Sequence, residues 1–131
     1  MRFNRFLGLK VERLGPGLAD VRLPYRDEFL GDPFRPALHG GVLSFLVDVC
    51  GGLAVFSQLE WGDRCSTVDM RVDYIQPARQ EDLLARARVL RLGNRVGVSS
   101  VQIYHHGSEE LIADGKAVYN VRKAHTVREV R

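Results

Sequence analysis

The sequence predicts an α+β domain in which one long apolar helix is wrapped by a curved antiparallel sheet of five to six strands. Three observations carry this prediction. Residues Gly40 to Gln58 are apolar, free of proline and too long for one strand. After Gly62-Asp63 the hydrophobic period changes from that of a helix to two. The segments beyond are joined by hairpin-type turns. A helix apolar on nearly all sides must be covered all round, and one curved sheet is the simplest cover.

The elements follow in order. Leu7 to Leu14 and Leu18 to Pro24 read as strands around the turn Gly15-Pro16-Gly17. Residues Tyr25 to Leu38 hold two prolines, with Pro24 just before them, and no period, which predicts a loop. Helix Gly40 to Gln58 comes next. Val68, Met70, Val72 and Tyr74 then alternate with Thr67, Asp69, Arg71 and Asp73, a half-buried strand ending at Pro77. Leu83 to Leu92 places Ala85, Ala87 and Val89 on one face and Arg86, Arg88 and Leu90 on the other. Gly93-Asn94 turns the chain into a returning strand, Val96 to Tyr104. After the turn His106-Gly107-Ser108, Leu111, Ala113, Gly115, Ala117, Tyr119 and Val121 form the apolar face of a last strand. No repeat or linker divides the chain, so residues 1–131 read as a single domain with a charged tail from about Arg122.

Composition narrows the functional classes. The 131 residues suffice for a core without staples, and a net charge of +3 does not call for nucleic acid. Sixteen of the nineteen cations are Arg, which suits forked contacts to an anionic small molecule. Cys50 and Cys65 give neither a disulfide framework nor zinc-ligand spacing, and Cys50 sits where a thiol simply packs. Met1-Arg2-Phe3-Asn4-Arg5 leads into no apolar stretch, and the longest apolar run, from Val42 to Ser57, is short for a span and carries Asp48. A cytoplasmic protein without membrane contact is expected.

Asp48 is the most informative residue. Mid-helix among Phe45, Leu46, Val47 and Val49, it should be buried on folding, and an unpaired buried carboxylate costs several kcal/mol. Gly41, Ser44, Asp48, Gly51 and Val55 recur at spacings of three and four, so a row of small residues flanks the carboxylate on one face. Such a row leaves room for a thin ligand. It equally lets a neighbouring backbone pack close, with Asp48 bonded to main-chain groups. His39-Gly40-Gly41 stands directly before the helix, where free N–H groups and the dipole favour an anion or a developing oxyanion. The same three residues also make a plain turn, with His39 capping locally.

Together these residues resemble a known family. His39-Gly40-Gly41-Val42-Leu43-Ser44-Phe45-Leu46-Val47-Asp48, followed by Thr67-Val68-Asp69-Met70-Arg71-Val72-Asp73-Tyr74-Ile75-Gln76-Pro77-Ala78, is similar to the hotdog-fold acyl-CoA thioesterases, in particular the PaaI-like branch named for phenylacetate degradation. The likeness runs from Leu7 to about Val121. It implies a hydrolase acting on acyl-CoA, homodimers that often pair into tetramers, and active sites at the dimer interface. It also implies Gly40 as oxyanion donor and Asp48, from the other subunit, as general base or nucleophile. Thr67 takes the place of a water-holding hydroxyl, although simple alternation turns it away from its own helix unless a bulge or the partner subunit intervenes. Pro33 stands where some relatives carry a helpful Asn, beside Asp32.

Catalytic residues are thus expected at Asp48, Gly40, Thr67 and His39, and substrate contacts at Gly41, Ser44, Arg91 and Arg95, with Arg79 and Lys123 further candidates for the CoA phosphates. No metal and no cofactor beyond the CoA of the substrate are expected, and His105-His106 reads as a surface pair. Phe45, Val55, Phe56 and Trp61 are candidates for the acyl pocket. Two competitors stand beside hydrolysis. One is hydration or dehydration of an enoyl thioester, for which His39 would be the added base. The other is an acyl-CoA-binding or sensing module without turnover. The outer sheet face mixes Asp69, Arg71 and Asp73 without an apolar patch and leaves dimer against tetramer open.

Overall fold

Seventeen residues, Gly40–Phe56, form the long helix α2, which follows a short helix α1 (Arg2–Phe6), strands β1 (Lys10–Gly15) and β2 (Leu18–Leu23) and a 3-10 turn, Asp27–Phe29. Strands β3 (Arg64–Tyr74), β4 (Leu83–Leu92), β5 (Val96–His105) and β6 (Leu111–Arg122) follow among the described residues. The computed structural model describes residues 1–32 and 34–124, so Pro33 and the tail from His125 lie outside the described residues. All six strands join one antiparallel sheet in the order β1-β2-β4-β5-β6-β3. This is the helix-in-sheet arrangement that the hotdog resemblance implied.

Packing follows from side-chain size. Leu46, Val47, Cys50, Ala54 and Val55 are fully buried against a floor rich in alanine: Ala19, Ala85, Ala113 and Ala117. Each large side chain so buried contributes roughly 1.5–3 kcal/mol. Gly115 of β6 lets the helix sit low, since a Cβ there would stand 2.8 Å from both Val47 methyl groups. Cys50 packs as expected, its thiol pointing at the Ala19 and Ala85 carbonyl oxygens (3.4 Å each), and burial pushes its pKa up to about 12. The helix ends two residues early. Ser57 turns its hydroxyl to the Ala54 and Gly15 carbonyls and accepts from the Gly17 N–H, tying the helix end to the β1–β2 turn.

Four expectations are corrected. The first strand begins at Lys10 rather than Leu7, and before it lies a helix α1 that was not expected, whose Phe3 meets the Phe45 ring edge-on at 5.3 Å. Helix α2 is not covered all round: Asp48 is half-buried rather than buried, and the flank toward β3 stays open. Val68 does not join Met70 and Val72 on the inner face, because the β3–β6 register shifts between Thr67 and Asp69 and leaves Val68 as an extra, 66% exposed residue. His105 is not a surface residue. It is buried, its Nε2 accepts the Arg79 N–H at 2.9 Å, and its Nδ1 has no partner among the described residues. Burial and the neighbouring Arg79 lower its pKa.

Candidate active site

At the start of α2, His39 is the N-cap, and its ring caps in an uncommon way: Nδ1 accepts from the Gly41 N–H at 2.8 Å. An accepting Nδ1 leaves the proton of the neutral ring on Nε2. The Val42 N–H is also occupied, by the His39 carbonyl at 2.9 Å. The Gly40 N–H has no acceptor among the described residues, so of the two glycine amides it is the one free to serve a ligand. Ser44 lies one turn further along the same face.

Two turns past Gly40, Asp48 meets β3. The Thr67 hydroxyl donates to Asp48 Oδ1 at 2.5 Å. The extra residue Val68 makes this contact possible. Strict alternation from Met70 back would send Thr67 outward, and the added residue reverses it, so that Cys65 and Thr67 face the helix along with Met70 and Val72. The local bulge that turns Thr67 toward its own helix is therefore present. Beneath the same turn, the Tyr119 hydroxyl donates to the Asp48 carbonyl oxygen at 2.6 Å, and Gly51 leaves it room, since a Cβ there would stand 2.6 Å from that hydroxyl. Burial, then the nearby Asp48 charge, raises the pKa of both Tyr119 and Cys65.

Two residues of this neighbourhood were not expected in it. Tyr74, at the end of β3, places its hydroxyl 2.5 Å from Ser44 Oγ and 3.3 Å from the Gly40 carbonyl oxygen. Tyr119 and Tyr74 both read as apolar positions of strands, and their period says nothing about where a hydroxyl ends. The described chain therefore carries two clusters: His39, Gly40, Gly41, Ser44 and Tyr74 at the helix start, and Asp48 with Thr67 and Tyr119 at its middle. Eight residues at 1.5 Å each separate Gly40 from Asp48 by about 12 Å along the axis.

The cation candidates lie elsewhere. Arg91 lines an open groove of about 610 Å³ with Arg88, Gln58 and Gly17, at the C-terminal end of α2. A second register shift, between Val89 and Arg91, brings Arg91 onto the face of Arg86 and Arg88 and leaves Leu90 as the extra residue. Arg95 belongs to the β4–β5 hairpin and is exposed. Neither has an ion-pair partner among the described residues. Arg79 pairs with Glu81 (2.7 Å) and Glu110 (3.9 Å), and Lys123 with the buried Asp63 (3.5 Å), so both are already engaged. Of the four acyl-pocket candidates, Val55 is core, Phe45 packs on Phe3, and Phe56 and Trp61 stand exposed, Trp61 at 99%. Among the described residues no group of three His, Cys, Asp or Glu could hold a metal ion, and no helix is long and apolar enough to cross a membrane.

Comparison with known proteins gives a consistent result. The family model described as the thioesterase superfamily matches residues 36–112, which include both clusters up to Tyr74. The medium/long-chain acyl-CoA thioesterase YigI of Escherichia coli is 36% identical, over 92% of this chain and 86% of that protein. Human acyl-coenzyme A thioesterase 13 is 35% identical over 87% of this chain and 81% of its own. Among solved structures, a thioesterase family protein from Silicibacter pomeroyi superposes with a TM-score of 0.87 at 26% identity, covering 95% of this chain and 91% of that one.

Proposed function

The chain belongs to the thioesterase superfamily, and from that premise we propose that it hydrolyses an acyl-CoA thioester, within the PaaI-like branch, at a site completed by a second copy of the chain. The observation that carries the shared site is the separation of about 12 Å between the Gly40 N–H and Asp48 on one helix. A water held by Asp48 must stand about 3 Å from the carbonyl carbon whose oxygen the amide binds. One chain does not meet that condition. Two helices packed side by side, each start against the other's middle, do.

In this reading the thioester oxygen accepts from the Gly40 N–H of one subunit, at the positive end of the helix dipole. Asp48 of the other subunit removes a proton from water as the oxygen attacks the carbonyl carbon. The tetrahedral intermediate then expels the CoA thiolate, which takes up the proton, and the acid leaves. Direct attack by Asp48 to give an anhydride, then hydrolysed by water, reaches the same products. Thr67 holds one carboxylate oxygen and leaves the other for the water. No metal or redox group enters either route. Arg91 and Arg95 are proposed contacts for the CoA phosphates. Medium or long acyl chains are favoured by the likeness to the medium/long-chain acyl-CoA thioesterase of E. coli.

The open edge supports the second copy. Strand β3 is an edge strand bearing Val68, 66% exposed, and the exposed Trp61 precedes it closely in the chain. An unpaired edge lined with apolar groups is a surface that native proteins cover. A dimer, or a dimer of dimers, in the cytoplasm is the state proposed. Enoyl hydration is disfavoured by His39, whose Nδ1 is spent on the cap and whose Nε2 carries the proton, leaving no free basic nitrogen.

The test is thiol release from a panel of short, medium, long and aryl-acetyl CoA thioesters by wild type, Asp48→Asn and Gly40→Pro. Proline suits the first helical position, removes the amide proton, and sets its Cβ in ordinary contact with the Tyr74 ring, 3.4 Å from Cε1. Each variant alone is expected to be nearly inactive. Mixed and allowed to exchange subunits, they regain about a quarter of wild-type activity, because half the dimers are mixed and each has one intact site of two. Exchange without any recovery overturns the shared site. Tight binding with no hydrolysis by wild type identifies a binding module instead.

A further inference from the structure

Tyr74 joins the last residue of β3 to the helix start by contacts that burial does not require. It is 54% exposed, so its hydroxyl could bond to water at no cost. Instead it donates to the Gly40 carbonyl at 3.3 Å and, with its own proton so directed, accepts from Ser44 at 2.5 Å. Its ring also lies along Gly40, since a Cβ there would stand 3.4 Å from Cε1 and 3.6 Å from Cζ. Of the two glycine amides, the one at Gly40 has no acceptor among the described residues and the one at Gly41 is occupied by His39, and Tyr74 touches Gly40.

We propose that Tyr74 is the positioning residue for the Gly40 amide, holding the first turn of α2 through Ser44 Oγ and the Gly40 carbonyl so that the N–H points at one fixed place. The inference rests on Gly40 being the oxyanion donor. Glycine at a helix end is the residue with the most backbone freedom at the place where helices fray. Its N–H and C=O share one Cα, so pinning the carbonyl and walling the Cα restrains the amide. The anchor itself is rigid: Tyr74 pairs with Ala113 in the ladder, and the Ile75 and Gln76 N–H groups both bond the Ile112 carbonyl, at 2.8 and 3.0 Å. A donor aimed at the position of developing charge accelerates the reaction, whereas one that wanders binds substrate and transition state alike.

The experiment compares Tyr74→Phe and Ser44→Ala with wild type on the best thioester of the panel. Phe keeps the ring and removes the hydroxyl. A loss of about tenfold in kcat is expected, the size of one positioning hydrogen bond, with KM within about twofold. The double variant should lose no more than Tyr74→Phe alone, because the two hydroxyls act as a unit. In ¹⁵N relaxation the order parameter of the Gly40 amide should fall in Tyr74→Phe while that of Leu46 holds. Should Tyr74→Phe fail to fold, Ser44→Ala carries the same expectation. Equal kcat in wild type and both single variants overturns the inference and leaves the thioesterase reading standing. A wild type inactive on the whole panel removes that reading, and this inference with it.

Discussion

On the flank of α2 turned to the centre of the sheet, Val47, Cys50 and Ala54 are fully buried, Cys50 against the Ala19 and Ala85 carbonyl oxygens and Val47 over Gly115. On the flank turned to β3, Ser44 and Asp48 are half-buried and each meets a hydroxyl from the strand. The first flank is closed by volume, and any added atom is felt there. The second is held by hydrogen bonds and left open to a ligand. One helix thus supports a core and offers a site on neighbouring faces, and changes on the two faces should separate stability from activity.

The largest effect is expected at Asp48. Asp48→Asn keeps the shape and an oxygen able to accept from Thr67, so turnover should fall by about 10²–10⁴ while the melting temperature moves by no more than about 2 °C. Thiol release and a thermal melt on one sample check both halves. Next comes the closed flank. Gly115→Ala puts a methyl group 2.8 Å from the Val47 methyls and 3.2 Å from the Arg71 carbonyl. It should cost about 1–3 kcal/mol, or several degrees in melting temperature, with kcat per folded molecule unchanged. A loss of kcat without a loss of stability there would erase the distinction between the flanks.

A smaller effect belongs to Thr67. Thr67→Ala should lower kcat by about tenfold and Thr67→Ser should restore most of it, because the hydroxyl rather than the methyl group meets Asp48. The smallest is a pH effect beneath the closed side. Folding holds His105 neutral and lowers its pKa, so below its unfolded pKa of about 6.5 the unfolded chain binds a proton that the folded chain resists. Stability should therefore decline as pH falls through that value and on toward the lowered folded pKa. Replacing His105 by Asn, which can still accept from the Arg79 N–H, should flatten the decline in denaturant titrations at pH 5 and 7.

Much of this architecture was legible in the sequence because period is a local property. The change from helical spacing to alternation after Gly62-Asp63 marks the boundary between α2 and the strands, and Gly93-Asn94 marks the β4–β5 hairpin. The face shared by Gly41, Ser44 and Asp48 follows from spacing alone. What escaped depends on a neighbour distant in sequence. Val68 carries no glycine or proline to announce an extra residue, so its exposure and the inward turn of Thr67 emerge only in the pairing with β6. His105 is buried because a loop folds over it and offers the Arg79 N–H. The hydroxyls of Tyr74 and Tyr119 reach α2 across the sheet, from residues whose spacing reads as core.

Val68 has one more consequence. It acts as a phase shifter in β3: the stretch from Arg64 to Thr67 and the stretch from Asp69 to Tyr74 present their side chains out of step. Upstream of it the inward positions deliver Cys65 and Thr67 to the middle of α2, and downstream they deliver Met70, Val72 and Tyr74. Either half can change its composition without forcing a change of facing on the other. Deleting this one exposed valine would bring the two halves back into step with Thr67 two residues before Met70, still opposite Tyr119 and still facing Asp48, whereas adding a second residue there without a new bulge would turn Thr67 to solvent and disconnect the carboxylate.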